Sequence, residues 1–185
     1  MSSPACPLCG EEPETIAHIQ CTCRRLEGAR TAAHHLIARK LWAEVERWQR
    51  GDGDDFSLGA EVEVRGIQDL APRRCADSWR RRWTNFAQDP SAVDLGRLRP
   101  DAVAIRWDRR DLFLLDVTRP YDARLDFALT ADETKIVRYQ PVVDRFNEVG
   151  RGASGWTARV LPFPVGIRGT LDERAWTEQI GRAHV

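Results

Sequence analysis

Two apolar runs, Asp101 to Trp107 and Leu112 to Val117, flank a knot of charge, and each alternates with the period of a strand. An antiparallel hairpin turning at Asp108–Arg109 pairs Trp107 with Arg110, Arg106 with Asp111, and Ile105 with Leu112. It goes on to pair Ala104 with Phe113, Val103 with Leu114, and Ala102 with Leu115. This register sets Arg106 against Asp111 as an opposite-charge cross-strand pair and makes both faces of the ribbon apolar. A ribbon apolar on both faces predicts a sheet covered on each side. In the same register Asp101 lies opposite Asp116. Directly opposed side chains share a face, with Cβ atoms about 5 Å apart. Two carboxylates that close repel unless a cation sits between them, and an oxygen-only donor set suits Mg²⁺. Aspartate at a strand end is common, which explains each position singly but not their joint fit to one register. Asp-Arg is not a favoured two-residue hairpin loop, so a longer loop keeping the register is an alternative.

Downstream, Phe127 to Val149 has helical spacing, with Ile136, Val137, Val143 and Phe146 as core candidates and Pro141 as a potential kink or break. Lys135, Arg138 and Tyr139 fall within one turn and can share an edge. A lysine beside a metal-bound water can orient it or stabilise developing negative charge. A solvated helix lysine is the plain alternative for Lys135 taken alone. Thr157 to Gly169 reads as a further strand, and Pro162 and Pro164 predict an edge position or a bulge. Thr170 reads as the N-cap of a last helix with Asp172 and Glu173 in its first turn.

The N-terminal segment CPLCGEEPETIAHIQCTC holds Cys6, Cys9, His18, Cys21 and Cys23. Cys-x-x-Cys turns two sulfurs toward one point, and Gly10 suits the chain reversal that follows. A second pair of ligands completes a tetrahedron of thiolate and imidazole, the set that zinc accepts. Cys6, Cys9, His18 and Cys23 are the chosen ligands. Cys21 is the alternate for the last place, because His18 and Cys21 would share a helical face. Four protein ligands leave no open position, so the zinc is structural, and its binding supplies folding energy that so short a segment lacks. Buried free cysteines are the competing explanation, and the spacing disfavours it. A thiol redox centre is weaker still, because such a motif opens a helix after a strand, and no strand candidate precedes Cys6.

From Arg24 the pattern turns helical, with Leu26, Ala29, Ala33, Leu36, Ile37, Leu41 and Val45 at helical spacing and Trp42 and Trp48 at the flank. His34 and His35 read as surface or packing histidines, and Gly51 to Asp55 as an acidic loop. The 185 residues carry 28 basic and 28 acidic side chains, so net charge indicates no partner and only local distribution can. Arg80, Arg81, Arg82, Arg97 and Arg99 are candidate nucleic-acid contacts. Within them, WRRRW from Trp79 to Trp83 offers cations and aromatics for phosphates and unstacked bases, with a helix of one basic and one buried face as the alternative. No stretch is apolar enough to span a bilayer, and no signal peptide is evident, so an intracellular protein without a membrane partner is expected. The closing IGRAHV, Ile180 to Val185, matches the translation of a common sequencing-adapter read and is set aside as a scar, with the native C-terminus expected to lie elsewhere.

Strand–strand–helix–strand, with Pro100–Asp101, then Asp116, then a lysine on the next helix, resembles the restriction-like endonuclease fold of the PD-(D/E)xK class. The lysine usual two residues after the second acid is replaced by Thr118. In the restriction-like endonuclease of site-specific non-LTR retrotransposons the basic residue moves to the following helix. RPDAVAI, LDVTRPYD and KIVRY look like that domain's blocks, and CPLCGEEPETIAHIQCTC with GARTAAHH resembles the CCHC knuckle preceding it. The resemblance covers most of the chain. It implies an α/β (α+β) fold, with a restriction-endonuclease-like mixed sheet flanked by helices and a small N-terminal zinc knuckle. The corresponding division is a knuckle at 1–25, a helical linker and loop at 26–56, an endonuclease at 57–179 and the scar at 180–185.

The resemblance also implies a Mg²⁺-dependent endodeoxyribonuclease that nicks target DNA for target-primed reverse transcription. Asp101 and Asp116 would hold catalytic magnesium, Lys135 would serve catalysis with Tyr139 in support, and structural zinc would sit in the knuckle. Implied partners are target DNA, element RNA and the reverse transcriptase region of the same polyprotein, in the nucleus. The alternative is a non-catalytic zinc-knuckle module that binds nucleic acid beside a decayed nuclease core.

Overall fold

The computed structural model describes residues 4–49, 56–72, 79–80, 83, 95–120, 127–150, 155–167 and 169–170. The chain divides into two compact units. The first comprises Met1–Leu41, Val117–Asp132 and Phe163–Val185, and the second Trp42–Asp116 and Glu133–Pro162. The fold is mixed α/β. A four-stranded sheet runs in the order β1 (Phe56–Ala60), β2 (Ala102–Arg106), β3 (Asp111–Thr118) and β4 (Thr157–Pro164). Among the described residues the two long helices are α1 (Glu27–Gln49) and α2 (Phe127–Gly150).

The central hairpin has the register expected from its alternation: Ala102 pairs with Leu115, Val103 with Leu114, Ala104 with Phe113, Ile105 with Leu112 and Arg106 with Asp111. The loop is longer than two residues. It spans Trp107–Arg110, and Arg110 adopts a left-handed φ of 58°. One extra residue at each end absorbs the reversal that Asp-Arg alone handles badly, so the pairing is kept. Both faces are buried, as all of β2 and the stretch from Leu112 to Val117 lie out of solvent. β1, which the sequence reading does not single out, pairs antiparallel to β2 with Phe56 opposite Arg106 and Ala60 opposite Ala102. A Cβ on Gly59 would fall 2.7 Å from Leu70 Cδ2, so a side chain there would need the leucine tip to shift.

β4 runs parallel to β3: the Thr157 N–H donates to Arg110 O and the Val165 N–H to Thr118 O, both at 2.9 Å. Parallel neighbours need a long crossover, and α2 lies in it. Among the described residues β4 is one of the two edge strands, a position that suits Pro162 and Pro164, since neither can donate to a further neighbour.

The core of the second unit joins one sheet face to α2. Val103, Ile105, Leu112 and Leu114 pack in one cluster with Tyr139, Val142, Val143 and Phe146, which recur at helical spacing. Val143 and Phe146 are core residues as expected, but Ile136 and Val137 are not, being 39 % and 73 % exposed. The buried stripe runs through Tyr139 and Val142 instead, which an apolar-only count of the helix passes over. Pro141 neither splits nor ends α2. Pro141 and Val137 both lie on the exposed side, where water can take the carbonyl that proline leaves unpaired.

An aromatic cluster closes the same core. Trp79 lies 5.7 Å from Trp83, 5.1 Å from Trp107 and 4.7 Å from Trp156 between ring centroids. Trp79 and Trp83 are 2 % and 0 % exposed, so the tryptophans of WRRRW are core residues and not a platform for bases. Arg80 is exposed, while Arg81 and Arg82 lie outside the described residues. So do the acidic loop at 51–55, the Trp48 side chain, the helix expected after Thr170 and the segment at 180–185.

Helix α1 starts at Glu27, after a 3₁₀ turn at Arg24–Leu26, slightly later than the spacing suggests. It buries Ala38 and Trp42, four residues apart, whereas Leu36 is 48 % exposed and Ala29 is exposed. Trp42 is therefore a main buried contact of the helix and not a flanking one. No helix among the described residues is long and apolar enough to cross a membrane.

Candidate metal centre and acidic site

The first unit gathers Cys6, Cys9, His18 and Cys23 with their ligand atoms all within 4.8 Å of one another. Cys9 Sγ lies 3.3 Å from His18 Nε2, and Cys6 Sγ lies 4.0 Å from Cys23 Sγ. Ligands bound to zinc at tetrahedral angles stand roughly 3.5 to 3.8 Å apart, so this set fits one zinc ion. Cys21 is not part of it. The choice between the two cysteines is made by a π turn at His18–Thr22, where the Cys23 N–H donates to His18 O at 2.8 Å. A wider turn brings the residue five positions on beside the histidine, whereas an α-helix would have favoured Cys21.

Local chemistry prepares the set for a cation. The Cys6–Gly10 turn is closed by the Gly10 N–H donating to Cys6 O at 2.8 Å, with Gly10 at φ 71°. Backbone hydrogen bonds at Glu11 and Glu12 lower the Cys9 thiol from 9.0 to about 6, against the opposing effect of burial, with His18 and Cys6 helping. Desolvation by burial raises that of Cys23. The Thr22 hydroxyl reaches His18 O at 3.4 Å as a donor and stands 3.1 Å from His18 Nδ1. With its own proton so used, Thr22 Oγ1 accepts from Nδ1–H. That tautomer leaves the Nε2 lone pair facing the sulfurs, the outer-shell arrangement that fixes metal-bound histidines.

The second unit brings together Asp116, Lys135 and Tyr139. Asp116 is 2 % exposed, and the Lys135 ammonium pairs with its Oδ1. Tyr139 donates its hydroxyl to Asp116 Oδ2 at 2.6 Å and lies 3.2 Å from Arg99 O. Lys135 and Tyr139 are four residues apart on α2, so one face of one helix presents both donors. Asp116 follows Leu112 and Leu114 at strand period and therefore points to the same sheet face. Asp101 stands one step beyond the last ladder pair, Ala102 with Leu115, and its carbonyl accepts from the Glu61 N–H at 2.8 Å. Its charge reaches both Asp116 and Tyr139.

Burial, and then the Asp101 charge, push the Asp116 carboxyl above its ordinary 3.8, against the opposing pull of Lys135 and Tyr139. Burial foremost, followed by Asp116, pushes Tyr139 well above its ordinary value, so the phenol remains a proton donor. Lys135 is not a solvated helix lysine: its side chain is 20 % exposed and paired with a buried carboxylate.

The proposed arginine contacts are less uniform. Arg80 and Arg97 are exposed. Arg99 is held by Glu61, donating from Nε to its carbonyl at 2.7 Å and from Nη2 to its carboxylate at 3.0 Å. It therefore positions the segment before Asp101, a role its sequence context does not reveal. Glu61 itself adopts a positive φ of 53°, which no residue type around it in the sequence signals. Among the described residues, the Cys/His set is the one group of three or more His, Cys, Asp or Glu side chains arranged to hold a metal.

No protein-family model matches the chain, and no curated protein matches it either.

Proposed function

We propose that the chain is a metal-dependent DNA endonuclease domain of the PD-(D/E)xK type, from a non-LTR retrotransposon polyprotein, with a structural zinc knuckle before it. The observation that carries this reading is the convergence on buried Asp116 of Lys135 and Tyr139, with Asp101, one residue before β2, close enough for its charge to act on Asp116. A carboxylate pair with an amine beside it is what phosphodiester hydrolysis needs: acids to hold a cation and a base or charge stabiliser at the attacked phosphorus.

Asp101 and Asp116 would hold Mg²⁺, which supplies Lewis acidity and a water of lowered pKa when bound. Tyr139 fixes the Asp116 carboxylate by its hydrogen bond and stays protonated while doing so. Lys135 places a positive charge at the carboxylate edge, where it can orient a nucleophile and offset charge on the phosphorane. Arg80 and Arg97 are exposed and suited to the DNA backbone. In the retrotransposon reading, the nicked strand primes reverse transcription by the polyprotein's polymerase region in the nucleus, with element RNA as template.

The binding-module reading has one observation in its favour: Asp116 already accepts from Tyr139 at Oδ2 and is ion-paired with Lys135 at Oδ1. Nicking of supercoiled plasmid with Mg²⁺ separates the two. The endonuclease nicks, and Asp116→Ala and Lys135→Ala lose nicking by orders of magnitude while still binding DNA. Equal nicking by wild type and variants refutes the assignment. Absence of nicking, with binding that weakens steeply in salt, selects the binding module.

A further inference from the structure

Beside the zinc set, within the first unit, lies a cleft of about 240 Å³. Two arginines, Arg30 and Arg119, line it together with Gln20, Thr31 and His34, and among the described residues no carboxylate does. Cys21, which the zinc set leaves out, also borders it. The cleft thus has two fixed positive charges and several neutral groups able to donate, a composition selective for an anion.

The arginines are held in different ways. Arg30 sits in the first turn of α1 and donates from Nη1 to Cys23 O at 2.6 Å, so the zinc-ligand backbone sets its guanidinium. One of its five N–H donors is thereby used. Arg119 is half-buried, and its Nε lies out of solvent with no hydrogen-bond acceptor among the described residues. A buried donor left unmet is costly, and an anion in the cleft would meet it.

We infer that this cleft binds a phosphate of a nucleic-acid backbone, gripped by the guanidinium groups of Arg30 and Arg119. Gln20, Thr31 and His34 supply further hydrogen bonds around it. The inference deepens the nucleic-acid reading above and rests on it. It assigns binding to residues other than the surface arginines Arg80, Arg97 and Arg99, and it gives LDVTRPYD a second role through Arg119. The planar guanidinium fork matches phosphate oxygens and reads no sequence, so the cleft would position the backbone and not select bases.

The test is fluorescence anisotropy of a labelled DNA duplex titrated with the full zinc-loaded chain over a range of KCl. Arg119→Gln is expected to weaken binding several-fold and to reduce the slope of log K against log salt by about one. Arg119→Lys retains the slope because the charge is kept. Thr31→Glu, a change at an exposed helix position, is expected to weaken binding by placing an anion in the cleft, and it serves if Arg119→Gln does not fold. Wild-type affinity and slope in both Arg119→Gln and Thr31→Glu would overturn the inference. Saturable binding of inorganic phosphate or of a polyglutamate peptide, lost in Arg119→Gln while DNA binding is untouched, would overturn the phosphodiester assignment.

The two readings fail separately. Nicking that depends on Asp116 with no effect of Arg119 removes the cleft alone. Nicking indifferent to Asp116, with the Arg119 effect intact, removes the nuclease alone. No DNA binding at any salt concentration removes both.

Discussion

Tyr139 donates its hydroxyl to Asp116 Oδ2 at 2.6 Å, joining the fourth turn of α2 to an inner strand of the sheet through a carboxylate that is almost fully out of solvent. This bond links packing to chemistry, because Tyr139 is at once a member of the hydrophobic core and the residue that holds the acid in place. Tyr139→Phe keeps the ring and removes the hydroxyl. The loss of a hydrogen bond to a charged group predicts destabilisation by about 1.5 to 3 kcal/mol. Urea denaturation should show a lower midpoint with an unchanged m value. Nicking should fall at least tenfold through misplacement of Asp116, and a fully active Phe variant would show that the tyrosine is only packing.

Asp116 contributes a pH dependence of its own to stability. Its carboxyl is raised above 3.8, so the folded chain binds this proton more readily than the unfolded chain does. Stability from this group is therefore fully present below the unfolded value and is lost as pH rises through the folded one. Asp116→Asn removes that dependence. The melting temperature of wild type minus that of Asp116→Asn is expected to fall as pH increases from about 4 toward neutrality. A difference that rises over this interval contradicts the direction. The same raised value predicts that Mg²⁺-dependent nicking fades on the acid side at a higher pH than an ordinary aspartate would dictate.

The hairpin register and the Cys/His cluster are legible because each rests on a short-range code. Strand alternation and opposed charges leave one register, and the pairs from Ala102–Leu115 to Arg106–Asp111 keep it even though the loop is two residues longer than the simplest turn. Cys-x-x-Cys likewise needs no tertiary information. The selection of Cys23 over Cys21 does need it, because the π turn departs from the spacing on which face arguments rest. The buried stripe of α2 was only half legible. Tyr139 looks polar in a hydropathy count, and Ile136 and Val137 look apolar, yet the tyrosine is buried and the other two are exposed. What reverses them is the carboxylate across the interface, which gives the phenol a partner. β1 was missed because FSLGA is short and contains a glycine, and its strand character comes from the neighbour it pairs with.

Trp79 separates the two roles open to the WRRRW segment. Its ring is 2 % exposed, its Nε1 donates to Ile67 O at 3.2 Å, and it touches Trp83, Trp107, Phe146 and Trp156. Trp79→Ala is expected to cost about 3 to 5 kcal/mol of stability. Trp79→Phe keeps most of the packing and is expected to leave affinity for single-stranded DNA unchanged where the protein remains folded. Loss of affinity in folded Trp79→Phe would return the ring to a base-stacking role.

Thr22 offers the sharpest test of the zinc set, because it touches no metal itself. Its hydroxyl spends its proton on His18 O and receives that of His18 Nδ1, which leaves Nε2 free to act as a ligand beside Cys9. Thr22→Val has nearly the same volume and removes both hydrogen bonds. Nothing then selects the metal-facing tautomer, and the ring is free to rotate about its bond to the chain. Outer-shell losses of this kind cost about 10- to 100-fold in metal affinity, so competition with a chromophoric chelator should show zinc released at correspondingly lower chelator concentration. Thr22→Ser keeps the hydroxyl and is expected to bind zinc nearly as the wild type does. Cys6→Ser sets the lower limit, since it removes a ligand outright. If Thr22→Val holds zinc as tightly as wild type, His18 is oriented by something else, and the tautomer argument fails while the ligand set stands.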